Sequence, residues 1–251
     1  LLMATKEGII KKTELKEYCN IRKGGLIALE LREGDELINA RLADEEKDIM
    51  LVTRKGMSIR FSEADVRSTG RASIGVRGIT LREGDSVIGM DICDPENSLL
   101  IITEKGFGKR TDIVEYRIQS RGGKGLLTYK ISEKTGELAG MMMVNDANDV
   151  MLITTEGVII RIHAEDINII GRNTSGVRLM RTTETNLIVS CAKTDREDED
   201  PEDSEAAEKP EISDGDEEGA DLETLPETSD DAVEGPDTEA GRDILNKLDI
   251  E

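Results

Sequence analysis

Four copies of a unit of about fifty residues fill the sequence between positions 1 and 194. Each copy opens with an apolar run that ends in Thr-x-x-Gly, and the glycines of this motif lie 48, 50 and 51 positions apart. The four motifs span 5–8, 53–56, 103–106 and 154–157. Repeats of this length are typical of solenoids, propellers and arrays, so the repeat decides the fold class before any single element does.

The second copy shows what one unit contains. Four short stretches rich in β-branched residues are separated by turn residues and predict strands at 49–53, 57–61, 76–81 and 86–92. The link 62–75 is polar, rich in glycine and arginine, and too long for a hairpin. We expect it to cross the blade surface or to reach toward the next unit. No stretch of the repeats keeps a 3.6-residue apolar period beyond a turn or two, so the prediction is an all-β protein.

Four strands per copy are the composition of a propeller blade, in which each sheet packs face to face on its neighbours. We therefore predict a propeller-like array, or β-pinwheel, of about four four-stranded blades, at 1–48, 49–98, 99–149 and 150–194. A solenoid of β-hairpins is the alternative. The sequence holds only three tyrosines, two phenylalanines and no tryptophan, so the predicted core is aliphatic and rich in methionine.

The formal charge of −21 belongs to one end of the chain. From position 195 onward there are 25 acidic residues against four basic ones, which leaves 29 of each in 1–194. A segment so rich in Asp, Glu, Ser, Pro and Gly cannot bury enough apolar surface to offset chain entropy. The sequence therefore predicts a neutral folded domain, 1–194, followed by a disordered acidic tail, 195–251.

Few residues offer catalytic or metal-binding chemistry. His163 is the only histidine, which excludes a multi-histidine metal site, and no acid–base pair stands out. Cys19, Cys93 and Cys191 are far apart and have no metal-ligand spacing, so we expect reduced thiols. No apolar run has the length of a membrane span and no leader for export is present. The prediction is a cytoplasmic segment with no catalytic residue, no metal, no cofactor of its own and no membrane partner.

A glycine-rich loop in the third copy resembles a phosphate-binding loop in composition only. It lacks the Walker spacing and is followed by a strand-like run instead of a helix, so no helix dipole would favour a nucleotide. Small glycines still let the backbone approach a phosphate chain that neighbouring cations neutralise. We interpret it as a loop that contacts the DNA backbone; its residues are Gln119, Ser120, Arg121, Gly122, Gly123, Lys124 and Gly125.

Basic residues recur in register in all four copies. If each blade presents them at its outer edge, the blades together form a curved basic strip that binds phosphates without reading sequence. The alternative for any single residue is that it solvates a strand end or pairs with a nearby carboxylate; recurrence favours DNA. The predicted DNA-binding residues are Lys12, Arg22, Lys23, Arg60, Arg71, Arg77, Lys109, Arg110, Arg121, Lys124, Arg161, Arg172 and Arg178.

Several longer motifs carry a family resemblance across 1–194. They are Gly-Val-Arg-Gly-Ile at 75–79, Thr-Glu-Lys-Gly-Phe-Gly-Lys-Arg at 103–110, Glu-Tyr-Arg-Ile-Gln-Ser-Arg-Gly-Gly-Lys-Gly at 115–125 and Gly-Val-Arg-Leu at 176–179. With the Thr-x-x-Gly pattern, these motifs make the chain resemble the C-terminal domain of the A-type polypeptide of bacterial DNA gyrase. The resemblance to the corresponding domain of topoisomerase IV is weaker.

The resemblance implies a β-pinwheel of about six blades that wraps double-stranded DNA in a type II topoisomerase and supports negative supercoiling. It also implies a dimer of A-type chains, a B-type ATPase as partner, and ATP and Mg²⁺ used outside this segment. The family's signature box reads Gln-Arg-Arg-Gly-Gly-Lys-Gly in the first blade, whereas here Ser120 takes the second position and the loop lies in the third copy. The box and the catalytic tyrosine are therefore expected upstream of residue 1.

Other functions fit parts of the pattern. A topoisomerase IV domain and a protein-binding propeller scaffold are the main alternatives, although a scaffold is expected to show aromatic pockets that this sequence lacks. A nucleic-acid or acidic-protein chaperone would use the tail as its binding site. Our interpretation gives the tail the opposite effect, because its negative charge competes with DNA for the basic strip.

Overall fold

The computed structural model describes residues 1–43 and 46–196. The predicted acidic tail lies almost wholly outside the described residues, so its disorder stays a prediction. The division of the chain at 194 and between blades stays a prediction as well.

Fifteen strands and four single turns of 3-10 helix make up the described structure. The first copy contributes three strands, β1 Leu2–Thr5, β2 Ile9–Lys12 and β3 Leu37–Arg41. The second contributes β4 Asp48–Thr53, β5 Met57–Ser62, β6 Val76–Arg77 and β7 Val87–Cys93. The third contributes β8 Ser98–Thr103, β9 Phe107–Asp112, β10 Leu126–Leu127 and β11 Leu138–Val144. The fourth contributes β12 Asn148–Thr154, β13 Ile159–His163, β14 Val177–Arg178 and β15 Ile188–Asp195.

The strands form antiparallel sheets that exchange one strand with the next copy. Three sheets have four strands, in the orders β3-β1-β2-β6, β7-β4-β5-β10 and β11-β8-β9-β14, and the fourth is β13-β12-β15. The all-β, blade-like fold class is confirmed. Sequence analysis expected the link 62–75 to cross the blade surface or to reach toward the next unit. Instead it reaches the preceding one, and the short third strand of each later copy pairs with the preceding blade.

Strand exchange follows from how the long link runs. After the second strand, a 3-10 turn such as Glu63–Asp65 reverses the chain, which then follows the outer edge of the preceding blade. Val76 and Arg77 pair there with Ile10 and Ile9 before the chain returns to its own blade as β7. We call the stretches between the second and last strands, 13–36, 63–86, 113–137 and 164–187, the crossover segments.

The Thr-x-x-Gly motif closes the hairpin of each blade. In the second copy the Thr53 hydroxyl accepts a hydrogen bond from the amide of Met57 at 3.1 Å, and Gly56 takes a φ of 84° that favours glycine. Asp85 then accepts from the amide of Lys55 at 2.9 Å and from the Thr53 hydroxyl at 2.7 Å. The amide of the residue after each motif glycine donates to the motif threonine in all four copies.

Three apolar cores lie between consecutive blades. The first joins Leu2 and Ile10 to Ile49 and Phe61, the second joins blades two and three, and the third joins blades three and four. Branched aliphatic and methionine side chains dominate, as the composition predicts. Tyr116 and Tyr129 are buried in the second core. The blades therefore stack through their faces while their outer edges carry the crossover segments.

Candidate nucleic-acid interface

Arg60 shows what the basic residue of the second hairpin strand does. Its Nε and Nη2 atoms lie 2.8 and 2.7 Å from Asp48 Oδ2 of the same blade. Nη1 donates to the carbonyl oxygens of Ile113 and Tyr116, in the next copy, at 2.9 and 3.1 Å. The Arg60 side chain is only 17% exposed. Arg60 therefore fastens the crossover segment of the third copy to the second blade.

The equivalent residues of the first and third copies are engaged in the same way. Arg110 is buried, pairs with Asp146 and donates to the carbonyls of Ile167 and Glu165 in the fourth copy. Lys12 Nζ lies 2.8 Å from Glu63 Oε1 of the second copy. These cations neutralise carboxylates and cap carbonyls between copies, which is the alternative to DNA contact that the sequence left open.

In the fourth blade the matching arginine belongs to a cluster of three polar residues. Arg161 Nε and His163 Nδ1 each lie 2.7 Å from one oxygen of Asp149, whose side chain is buried. The hydrogen bond with His163, followed by that with Arg161, lowers the pKa of Asp149 against the opposing effect of desolvation. His163 therefore has a structural contact in this blade.

A second set of lysines is buried beneath the crossover segments. Lys109 has no exposed surface, and its ammonium donates to the carbonyls of Gly171 and Arg172 at 2.8 and 2.6 Å and to the Thr174 hydroxyl at 3.1 Å. Burial lowers its pKa to about 8. Lys11 occupies the same position in the first copy and donates to the carbonyls of Ala28 and Arg71. Both lysines hold the loop of the following copy from inside.

The box-like loop of the third copy is packed onto the second blade. The Gln119 amide donates to the Arg60 carbonyl at 2.8 Å, and Arg121 donates to the carbonyls of Asp65 and Arg77 at 2.9 and 3.0 Å. Gly122, with a φ of 80°, donates through its amide to the Gly78 carbonyl. Gly123 and Gly125 complete the tight backbone path, while Ser120 and Lys124 are exposed. The loop thus presents Lys124 to solvent on a rigid backbone.

Among the predicted DNA-binding residues, the cations with exposed side chains lie in the crossover segments, on the outer edges of the blades. Arg22, Lys23, Arg77, Lys124 and Arg178 are exposed, and the Arg178 guanidinium lies 5.1 Å from the centre of the Phe107 ring. Arg71 and Arg172 are half-buried and donate to the carbonyls of Ile27 and Leu127. The predicted basic residues therefore divide into an inner set that ties copies together and an outer set available to a ligand.

A polar cleft opens between the crossover segments of the first two copies. It has a volume of about 890 Å³, and Lys16, Arg22 and Arg71 supply its cationic side chains. Glu17 and Asn20 also line it. Sequence analysis did not include Lys16 or Lys11 among the candidate residues. Lys16 lies between two of the recurring basic positions, Lys12 and Arg22. Lys11 looks like one more surface lysine beside Lys12. The sequence did hold a signal for Lys11, because the pair Lys11-Lys12 occupies the same repeat positions as the pair Lys109-Arg110.

Comparison with known proteins agrees with this geometry. The model of the family described as "DNA gyrase C-terminal domain, beta-propeller" matches 1–44, 47–94, 97–145 and 148–195. This chain belongs to that family. The four matched segments correspond to the four repeats, so the resemblance seen in the sequence is confirmed.

Relatives of this family domain include gyrase A proteins from distant bacteria. The chain is 55% identical over 206 residues to the gyrase A protein of Clostridium acetobutylicum, and the match covers 82% of this chain and 25% of that protein. It is 39% identical over 212 residues to the gyrase A protein of Escherichia coli K12, covering 83% and 24%. The chain thus spans about a quarter of the length of these relatives.

Two solved structures share the fold at 26% identity. The C-terminal domain of DNA topoisomerase IV aligns with a TM-score of 0.73 over 77% of this chain and 61% of that one. The DNA gyrase A C-terminal domain aligns with a TM-score of 0.70 over 76% and 64%. The gyrase A proteins supply the higher sequence identities, so gyrase is the better of the two assignments.

Among the residues that the structure describes, no helix is long and apolar enough to cross a membrane. Within the same ranges, no cluster of His, Cys, Asp or Glu has the arrangement of a metal site.

Proposed function

We propose that this chain binds double-stranded DNA along its crossover segments, without reading sequence, and bends it as the C-terminal part of a gyrase A protein. The observation that carries the proposal is the outer set of cations, Arg22, Lys23, Arg77, Lys124 and Arg178, which lie exposed on crossover segments along blade edges. The names of the relatives support the assignment to gyrase.

Phosphate contact by this outer set accounts for both affinity and bending. Each phosphate neutralised by Lys or Arg releases condensed counterions, which supplies binding free energy independent of sequence. Bending 20–30 base pairs by 40–90° costs on the order of 1–6 kcal/mol, which several phosphate contacts offset. Three of the four crossover segments are each tied to two blades, so the cations they carry keep fixed spacings along a bent duplex.

The inner set enters the proposal in a different role. We infer that Lys12, Arg60, Lys109, Arg110, Arg121 and Arg161 position the crossover segments, and that DNA is contacted chiefly by the exposed cations. Arg71 and Arg172 do both, since each holds a carbonyl and remains half-exposed.

The whole enzyme supplies the remaining chemistry. We propose that the chain acts within a type II topoisomerase that introduces negative supercoils, with a dimer of gyrase A proteins and a B-type partner that hydrolyses ATP with Mg²⁺. ATP and Mg²⁺ would act outside this segment, which itself carries no catalytic residue. The enzyme would work in the cytoplasm, on the bacterial chromosome.

The test is the salt dependence of binding to a duplex of arbitrary sequence. Replacing Arg77 and Lys124 with glutamine should lower affinity and reduce the slope of log K against log salt by about 2, since each lost phosphate contact contributes about 0.9. Replacing Lys6 and Arg54 with glutamine, at exposed cations in the hairpin turns outside the crossover segments, is the matched control and should leave the slope unchanged. Equal slopes for both double variants, or no binding at low salt by the folded chain, would favour a protein-binding scaffold.

A further inference from the structure

Two cations share one aromatic ring on the third blade. The Arg178 guanidinium and the Lys134 ammonium lie 5.1 and 5.6 Å from the centre of the Phe107 ring. Arg178 reaches the ring because it lies directly opposite Phe107 where β14 pairs with β9. Attraction to the ring holds both cations near the same place, although their charges repel each other.

A third cation lies in the hairpin turn just before the ring. The Lys105 ammonium donates to the Glu133 carbonyl at 2.6 Å, which fixes its position. An ammonium has three donors, so this contact leaves two of them available to a ligand.

The three cations line one small cleft between the third blade and the crossover segment of the fourth copy. The cleft has a volume of about 160 Å³, and Phe107 and residues 182–184 complete its lining. This volume is below the range of pockets for drug-sized ligands and suits a single small group. The hydroxyls of Thr182 and Thr183 add further hydrogen-bonding groups to the wall.

The positive charge of the cleft is not neutralised by the protein. Among the described residues, no carboxylate is ion-paired with Lys105, Lys134 or Arg178, and Glu184 is the one acid in the lining. Cations in other hairpin turns do have such partners, as Lys6 Nζ lies 3.1 Å from Glu36 Oε1. An anion bound among the three cations would remove their mutual repulsion.

The first two blades lack this combination at the matching edge. In the second blade Lys55 occupies the position of Lys105, but Met57 replaces the ring and Leu127 replaces the arginine opposite it. In the first blade Glu7 takes the place of the lysine. The cleft is therefore a feature of the third blade and not a general property of the repeat.

We propose that Lys105, Lys134 and Arg178 together bind one phosphate group in this cleft. Lysine, arginine and threonine side chains are common ligands of phosphate oxygens. The inference rests on the proposed function in taking this group from the backbone of bound DNA, because Arg178 belongs to the outer set. Lys105 lies outside the crossover segments, so the DNA path would extend to the hairpin turn of the third blade. A free phosphate compound has the same chemistry and is the other source.

Glutamine at both lysines tests the contact with DNA. Lys105→Gln combined with Lys134→Gln should lower the slope of log K against log salt by about 0.9, the value of one phosphate contact. The matched control is Lys6→Gln combined with Lys55→Gln, which removes two positive charges from the hairpin turns of the other blades. Lys55 also donates to a carbonyl, that of Glu83, at 2.9 Å. The control should leave the slope unchanged.

Inorganic phosphate tests the cleft without DNA. In an NMR titration, the amide signals of residues 182–184 should shift and saturate in the unmodified chain and in the control. They should not shift in the Lys105–Lys134 double variant. Dispersed amide signals in the same spectra establish that each variant is folded.

The two measurements together identify the ligand. A reduced slope assigns the cleft to a DNA phosphate, whereas a saturating shift with an unchanged slope assigns it to a free phosphate compound. The proposal is overturned if the double variant matches its control in both measurements. Failure of the proposed function would appear separately, as absent DNA binding by the unmodified chain, and the phosphate titration would still report on the cleft.

Discussion

At the scale of residues, position in the repeat does not by itself decide what a basic side chain does. Arg60 and Arg22 both belong to the repeat's basic pattern, yet Arg60 is paired with Asp48 and two carbonyls and Arg22 is exposed. The sequence could indicate that cations recur but not which way they face, because the two carbonyl partners of Arg60 come from the next copy. In our proposal, DNA affinity and cohesion between blades therefore depend largely on different cations, with Arg71 and Arg172 serving both.

Loss of Arg60 should destabilise the fold. Arg60→Gln leaves Asp48 half-buried without its cation and two carbonyls without a donor, and we expect a loss of about 3 kcal/mol in the free energy of unfolding. Arg67→Gln, at an exposed arginine, should change it by less than about 0.5 kcal/mol. Urea unfolding measures both; equal effects would refute the positioning role.

The buried Lys109 should make stability depend on alkaline pH. Burial lowers its pKa from 10.5 to about 8, so between these values the unfolded chain holds a proton that the folded chain has released. Stability from this group therefore rises with pH across that window. The unfolding free energy of the unmodified chain minus that of Lys109→Met should increase from pH 8 to 10.5. A difference that stays constant or falls would contradict the assignment.

At the scale of elements, the crossover segment was the least predictable part of the fold. Hairpins such as β4–β5 follow from apolar runs, a Thr-x-x-Gly turn and local pairing, and the sequence predicted both strands. The sequence predicted a strand at 76–81, but only Val76 and Arg77 form β6. Its pairing with Ile9 and Ile10 joins residues more than sixty positions apart, which no local pattern predicts. Its backbone contacts with the preceding blade, and not its length, hold it there.

At one matching position, odd and even copies carry different buried residues, and each fits the loop of the following copy. Lys11 and Lys109, in the odd copies, hold the Gly-Arg loops of the even copies at Arg71 and Arg172. The second copy has Ile59 at the same position, and it packs beside Gly123 of the box-like loop. A buried lysine in one copy therefore goes with a Gly-Arg loop in the next copy. An isoleucine at the same position goes with the glycine-rich loop in the next copy.

Glycines at matching positions of the repeat should differ in how well they tolerate alanine, depending on whether a preceding blade packs against them. Gly125→Ala forces a Cβ to 2.3 Å from the Ser58 carbonyl at a φ of 74°, and we expect a loss of about 2–4 kcal/mol in unfolding free energy. Gly25 has a similar φ of 77° but open space around it, so Gly25→Ala should lower the unfolding free energy by only about 1–2 kcal/mol. Urea unfolding measures both losses. Equal losses would mean that the close contact does not matter.

At the scale of the whole molecule, blade faces and blade edges have different roles. The faces carry the apolar cores between consecutive blades, which the aliphatic and methionine-rich composition predicted. The edges carry the crossover segments and, on them, the exposed cations. A duplex that follows these edges meets successive blades in turn, and it must bend to do so.

Fluorescence energy transfer between the two ends of a duplex of about 60 base pairs tests whether the chain bends DNA along its blade edges. Free DNA of this length is stiff, since its persistence length is about 150 base pairs. Saturating the duplex with the chain at low salt should bring the two ends of the DNA together and raise the transfer. Replacing Arg77 and Lys124 should reduce this rise at equal saturation. Tight binding with no change in transfer would mean that the DNA lies straight and would contradict the account.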